Sequence, residues 1–264
     1  MSTQIAQRQM PEDRELEKKR AELREAENTL AERELELATY QAELHEFEQR
    51  YLRIVGSRYA ELDEVNAQVA EARARLHPED KTASNEAAQA RSHAQESAEA
   101  ASEAITIEAR AKFKPTDEMK SLYRDLARLM HPDLATGADE RTRRHNLMIE
   151  INRAYEAGDA TRLQEIQREW QRSPASIKNE SVGTELVKII RQIAQVEERI
   201  LAIWEKIEEL ETSELAELNR KVEEADEEDR DLLAEMAADL EDEIFNAKAN
   251  GYDVVVKLLH RLNK

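Results

Sequence analysis

The chain lacks cysteine and has few glycines, prolines and aromatic residues. Its 264 residues include no Cys, 5 Gly and 5 Pro, and aromatic residues make up 4%. Without cysteine, a disulfide framework, a zinc ribbon and thiol catalysis are excluded. A chain with so few turn formers is built from a few long elements, and it has too few bulky side chains to fill one large globular core. A β-sandwich, a barrel and a doubly wound α/β enzyme are therefore disfavoured.

Long apolar runs and an excess of positive charge are also missing. No run approaches the roughly 20 residues of a membrane-spanning helix, and residues 1–20 have no signal-peptide core. Asp and Glu number 58 against 39 Lys and Arg, which gives a net charge of −19. We therefore expect a cytoplasmic protein with no membrane contact. Nucleic acid is not an expected partner, because most of the surface repels phosphate.

Heptad repeats of apolar residues dominate both ends of the chain and are typical of coiled coils. The N-terminal repeat contains Leu16, Leu23, Leu30, Leu37, Leu44 and Tyr51. The C-terminal repeat contains Leu186, Ile189, Ile193, Val196, Ile200, Ile203, Ile207 and Leu210. Each stripe needs a partner, either the other arm of the same chain or an arm of a second copy, and the pattern favours neither.

Interruptions of the heptads predict where the long helices change. Near Gly56 the register slips by four residues, which is a stutter that unwinds the supercoil without ending the helix. His77-Pro78 is expected to end it. Residues 79–104 are rich in Ala, Ser, Glu and Gln, and they form either a solvated helix or a linker. Asn250-Gly251 is expected to end the last long helix, before a short amphipathic tail.

A near-neutral segment separates the two acidic arms. Residues 105–175 contain 13 basic and 12 acidic residues. We therefore expect an all-α protein in which long coiled-coil helices flank a small helical hairpin. Its predicted parts are an N-terminal coiled-coil helix (1–78), a linker or helix (79–104), the hairpin module (105–175), and a C-terminal coiled coil with the tail (176–264).

Three helices are predicted inside the module. The first begins at Pro115-Thr116 and ends at His131-Pro132, because a residue before proline avoids helical geometry. The second covers about 140–157, and Gly158 can adopt the left-handed conformation that ends it. Asp159 can cap the third. Three basic residues stand four apart along the first helix and form a basic stripe: Lys120, Arg124 and Arg128.

The module resembles a J-domain. The run Tyr123–Asp133, YRDLARLMHPD, is similar to J-domain helix II and its loop, and Ile151–Glu156, INRAYE, is similar to helix III. The His-Pro-Asp tripeptide alone would recur by chance. Its context is more specific, since a tyrosine stands eight residues before the histidine and an Ala-Tyr pair lies in the helix that follows. The resemblance covers roughly 60 residues and does not extend to the arms.

The resemblance implies a co-chaperone that binds a DnaK-type ATPase, stimulates its ATP hydrolysis and performs no covalent chemistry. No cofactor or metal is expected, and the chain is not expected to be an enzyme. A tight loop is expected to project His131 and Asp133 between two antiparallel helices, while the basic stripe meets an acidic partner surface. The arms would then serve oligomerisation or the binding of an unidentified client. The residues implied in chaperone binding are Tyr123, Lys120, Arg124, Arg128, His131, Pro132 and Asp133.

An alternative function is a coiled-coil scaffold with a degenerate hairpin. Two departures from the J-domain pattern favour it: Asp125 and Leu134 stand where many J-domains have basic residues. The usual Tyr-x-x-Leu-Gly opening of helix I is also missing, and Ile105, Ile107 and Phe113 are candidates to replace its packing. The Gly/Phe-rich segment and the Cys-rich repeats of full-length DnaJ are absent.

Three further interpretations of the module have weaker support. His131 could simply close a helix, where its charge suits the C-terminal dipole. A metal site at His131 and His145 lacks neighbouring ligands at a set spacing. A nucleic-acid patch at residues 141–144 lacks interleaved aromatic residues. Gly137 stands alone, so no phosphate-binding loop is predicted.

Overall fold

The computed structural model describes residues 11–106, 113–135, 137–171 and 182–262. It confirms the predicted all-α class, because these residues form helices and turns with no β-strand among them. The helices are α1 (Pro11–Tyr51), α2 (Ser57–Leu76), α3 (Lys81–Thr106), α4 (Asp117–Met130), α5 (Ala138–Glu156), α6 (Ala160–Gln171), α7 (Val182–Glu211), α8 (Glu214–Glu227) and α9 (Leu232–Leu262). None of the helices in these ranges has the length and apolar character needed to cross a bilayer.

Two compact units divide the helices, and α1 contributes to both. Within the described residues, the first unit takes in the chain up to Glu43 and from Phe113 to Thr212. The second takes in residues from Leu44 to the end of α3 and from Ser213 onwards. The hairpin module therefore shares its unit with the first part of α1 and with α7.

The core of the first unit is built from the hairpin and one face of α1. Helices α4, α5 and α6 bury a cluster that includes Tyr123, Leu126, Ile151 and Leu163. Helix α1 adds Ala31, Leu35 and Ala38 to the same cluster. This cluster is called the hairpin core below. The α1 residues of this core lie far from the module in the sequence, so their contribution to its packing is a tertiary contact.

Local signals define the ends of the hairpin helices as predicted. The Thr116 hydroxyl accepts a hydrogen bond from the Met119 N–H at 3.2 Å and caps α4. Gly158 has φ = +70°, the left-handed conformation that suits glycine after α5. The Asp159 carboxylate accepts from the Arg162 N–H at 2.9 Å and caps α6.

The heptad rows of α1 and α7 pack against each other within one chain. Leu30 and Leu37 of α1 form a buried cluster with Val196, Ile203 and Ile207 of α7. This cluster is called the α1–α7 seam. In the described structure this part of the C-terminal stripe is therefore covered by the N-terminal arm of the same chain.

Two features of the second unit correspond to the interruptions in the sequence. The stutter near Gly56 coincides with a π-helical turn, Leu52–Gly56, which joins α1 to α2 and takes up extra residues in a wide turn. Residues 81–106 form the helical alternative, α3, which packs along α2. Among the α3 side chains that the structure describes, up to Ser102, the buried ones are small and seven residues apart: Ala87, Ala94 and Ala101. Alanine lets two helices approach closely without large side chains.

The expected helix end at Asn250-Gly251 is wrong. Helix α9 continues through Gly251 to Leu262, so the amphipathic tail belongs to the same helix. A Cβ atom built on Gly251 would lie 2.6 Å from Val69 Cγ2 of α2. The glycine thus permits a close approach of α9 to α2 and does not cap a helix.

We expect Gly251→Ala to destabilise the second unit by about 1–3 kcal/mol, since the added methyl group overlaps a β-branched side chain. Gly183→Ala on α7 is the matched control, because a Cβ there meets nothing within 4 Å. That control should gain up to about 1 kcal/mol from helix propensity. Urea unfolding followed by circular dichroism measures both, and an equal response of the two variants would contradict the close packing.

Candidate functional site

The His-Pro-Asp tripeptide lies at the turn between α4 and α5. Helix α4 ends at Met130, His131 is extended (φ −61°, ψ 134°), and Pro132–Leu134 form a 3-10 turn. The His131 Nδ1 atom accepts the Asp133 N–H at 3.2 Å. This bond leaves Nδ1 without a proton, so the geometry assigns the ring proton to Nε2.

The side chain of His131 is buried, which corrects the expectation of a projecting loop with few packing contacts. It is 2% exposed, and its Nε2 donates to Glu34 Oε1 of α1 at 3.0 Å. Pro132 and Asp133 are partly exposed at the rim of the same turn. Access to the histidine is therefore closed, whereas the edge of the turn remains open to solvent.

Glu34 is a buried carboxylate between two apolar faces of α1. At 100° per residue, Leu30 and Leu37 lie on one side of it and Ala31 and Ala38 on the other. The first pair faces the α1–α7 seam and the second faces the hairpin core. Because both faces are covered, the residue between them is enclosed and is 4% exposed.

Charge pairing makes the burial of Glu34 tolerable. Its Oε1 accepts bonds from Arg199 Nε at 2.9 Å and Nη2 at 2.8 Å, in addition to His131. Burial alone would raise the pKa of this carboxyl group, but the His131 bond and the Arg199 charge outweigh it and lower the pKa. Glu34 is therefore ionised at neutral pH and links α1, α7 and the tripeptide through one oxygen atom.

Helix α7 also contacts the turn beyond the histidine. Gln192 Nε2 donates to the Leu134 carbonyl at 3.3 Å. The Leu134 side chain packs against the α1–α7 seam. Leu134, which stands where many J-domains have a basic residue, therefore has a packing role in this structure. The other departure, Asp125, pairs with Arg128 at 2.8 Å.

Tyr123 is a core residue in this structure. Its ring is fully buried beside Tyr155, with centroids 4.8 Å apart. Its hydroxyl donates to Asn152 Oδ1 at 2.8 Å and lies 3.3 Å from the Glu34 carbonyl. Tyr123 therefore positions α4 against α5 and α1 and offers no surface to a partner. Phe113 packs edge-on against Tyr155, as expected for a replacement of helix I packing, whereas Ile107 lies outside the described residues.

The basic stripe of α4 lies partly against polar and acidic residues of α1. Lys120 and Arg124 line a groove with Glu32, Glu36 and Glu43 of α1. Arg128 donates to Asn28 Oδ1 of α1 at 3.1 Å. Acidic residues of α1 thus share a groove with two of the three basic residues of the stripe.

Other chemistries find little support around the turn. Among the described residues, no group of three or more His, Asp or Glu side chains is arranged to hold a metal ion. Arg143 and Arg144 lie over the Trp170 ring, 5.2 and 5.3 Å from its centroid. Arg144 also donates to the His131 carbonyl at 3.4 Å. These arginines stabilise the α5–α6 packing and the turn.

No sequence pattern predicted a role for Glu34, Gln192 or Arg199. Nothing in the sequence distinguishes Glu34, because it is one of three glutamates in LAERELELA, a stretch of α1 in which four of nine residues are charged. Such a residue normally lies on a solvated face. Arg199 and Gln192 flank the predicted heptad row of α7, where polar residues are ordinary.

Comparison with known proteins adds no family assignment at this site. No family model matches the chain, and no curated protein or solved structure matches it either.

Proposed function

We propose that this chain is a J-domain co-chaperone that recruits a DnaK-type chaperone and stimulates its ATPase. The observation that carries the proposal is the His-Pro-Asp tripeptide at the turn of a packed helical hairpin, with the paired tyrosines in the core behind it. The chain acts by binding, without covalent chemistry or a cofactor. A cytoplasmic location is part of this proposal, and the chain has no cysteine that could form the disulfides typical of oxidising compartments.

The arms supply the remaining roles in this proposal. Helices α7 and α9 expose large apolar side chains that suit a client or a second copy of the chain; they include Val187, Ile190, Leu201, Trp204, Phe245, Tyr252 and Leu259. The second candidate function is a scaffold with a degenerate hairpin. The burial of His131 favours it, because a histidine that is always closed cannot touch a chaperone.

We expect His131→Gln to abolish stimulation of the DnaK-type ATPase from the same cell while the fold persists. The glutamine amide retains an N–H that can reach Glu34, so the loss would reflect recognition. Single-turnover ATP hydrolysis measures the effect, and circular dichroism checks the fold.

His45→Gln on the part of α1 in the second unit is the matched control, since that histidine is about half exposed and remote in sequence from the tripeptide. It should stimulate like the wild type. If His131→Gln and the wild type give the same nonzero stimulation, the tripeptide does not carry the activity and the J-domain proposal is wrong. The scaffold is favoured if no form of the chain stimulates the ATPase.

A further inference from the structure

We propose that α7 is an intramolecular cover of the His-Pro-Asp turn and that its displacement switches the co-chaperone on. This inference rests on the proposed function and concerns the regulation of its site. The Glu34–His131–Arg199 cluster is the contact that holds the cover closed.

Three separate contacts fix α7 over the turn. Arg199 places two nitrogen atoms within 2.9 Å of the same Glu34 oxygen that binds His131. Gln192 holds the Leu134 carbonyl, and the Leu134 side chain joins the α1–α7 seam. Each contact involves α7 and either the turn itself or the residue that binds its histidine. A partner that needs the turn must therefore compete with α7, and one that needs His131 must also separate it from Glu34 of α1.

The hairpin does not need α7 for its own core. The described residues of the hairpin core come from α1, α4, α5 and α6, with Phe113 packed against them. Helix α7 is held instead through a different face of α1, in the α1–α7 seam. Release of α7 would thus uncover the turn and leave the hairpin packed, which is the property a regulatory cover requires.

An ion pair is a contact that can open and close reversibly, because the Arg199 guanidinium can replace its bond to the Glu34 carboxylate by bonds to water. Arg199 is 39% exposed, so the bond to Glu34 lies at the rim of the buried cluster and can open from the solvent side. A partner that binds only the open state has an apparent affinity reduced in proportion to the fraction of chains that are open. Variants that shift this fraction should change stimulation in proportion.

An opening variant and a matched control test the cover on the full chain. Arg199→Glu sets a carboxylate against Glu34, so we expect it to raise ATPase stimulation at limiting co-chaperone by about tenfold or more. Arg191→Glu makes the same charge change on an exposed part of α7 and should behave as the wild type. Adding His131→Gln to the opened variant should remove the gain, because the stimulation must pass through the tripeptide.

A reversible lock tests the closed state without disturbing the cluster. Arg20 of α1 and Glu185 of α7 form an ion pair at 2.6 Å, and the chain has no native cysteine. Arg20→Cys with Glu185→Cys can therefore be joined specifically by a bis-maleimide that has a disulfide in its spacer. The joined chain should lose stimulation, and reduction of the spacer should restore it.

The outcomes separate the cover from the proposed function. Loss in the locked chain and gain in Arg199→Glu support the cover. Equal, nonzero stimulation by locked, reduced and Arg199→Glu chains overturns the cover and leaves the co-chaperone role standing. An absence of stimulation in every form, including Arg199→Glu and the reduced chain, overturns both. If Arg199→Glu fails to fold, the comparison of the joined chain with the reduced chain still tests whether α7 covers the turn.

Discussion

An Ile203→Asp variant is expected to detach α7 from α1 and to lower the free energy of unfolding of the first unit by at least about 4 kcal/mol. Ile203 is fully buried in the α1–α7 seam. The substitution removes a large apolar side chain, worth about 2–5 kcal/mol when truncated. It also places a carboxylate inside the buried seam, which adds a desolvation cost.

Tryptophan emission makes this measurement specific for α7. The chain has two tryptophans, Trp170 on α6 and Trp204 on α7, and Trp204 lies under the Arg33 guanidinium at 4.2 Å. In a Trp170→Phe background, detachment of α7 should shift the Trp204 emission to longer wavelength. Leu201→Asp is the control, since Leu201 is 64% exposed and a change there should stay within about 0.5 kcal/mol. Equal urea midpoints for the two aspartate variants would show that the seam does not hold α7.

Local chemistry made the hairpin predictable. The ends of α4, α5 and α6 follow from residues that act within one turn of themselves, namely Thr116, Pro132, Gly158 and Asp159. Each satisfies or blocks a specific backbone group, so its effect does not depend on distant parts of the chain. The all-α class follows in the same way from composition.

Pairing of the stripes could not be predicted, because an apolar row shows that a helix needs a partner without showing which one. Leu30 and Val196 are good seam residues in any coiled coil. Only the folded chain shows that they meet each other and that a second face of α1, at Ala31 and Ala38, packs into the hairpin. The burial of Glu34 depends on both faces being covered at once, so the apolar pattern of α1 alone could not predict it.

Small residues were the other source of error. Glycine near the end of an apolar row is typical of a helix cap, yet Gly251 lies inside α9 where the helix approaches Val69. The alanine-rich segment was expected to be a solvated helix or a linker; it is a helix, but α3 packs through Ala87 and Ala94 and is not solvated all round. In both cases the same residue type serves a local and a tertiary purpose, and the sequence pattern detects only the local one.

Leu126→Ala is expected to destabilise the hairpin core by about 2–5 kcal/mol, the usual range for a fully buried leucine that leaves a cavity. Leu126 is 0% exposed and lies in the cluster that joins α4 to α5 and α1. Leu129→Ala, three residues along the same helix and 45% exposed, is the control and should cost less than about 1 kcal/mol. Urea unfolding of the full chain, followed by Trp170 emission in a Trp204→Phe background, compares the two. If the proposed function is right, Leu126→Ala should also weaken chaperone stimulation as the unfolded fraction grows, because the same helix holds the tripeptide at its end. A midpoint that moves equally in both variants would mean that α4 is not packed through the face that contains Leu126.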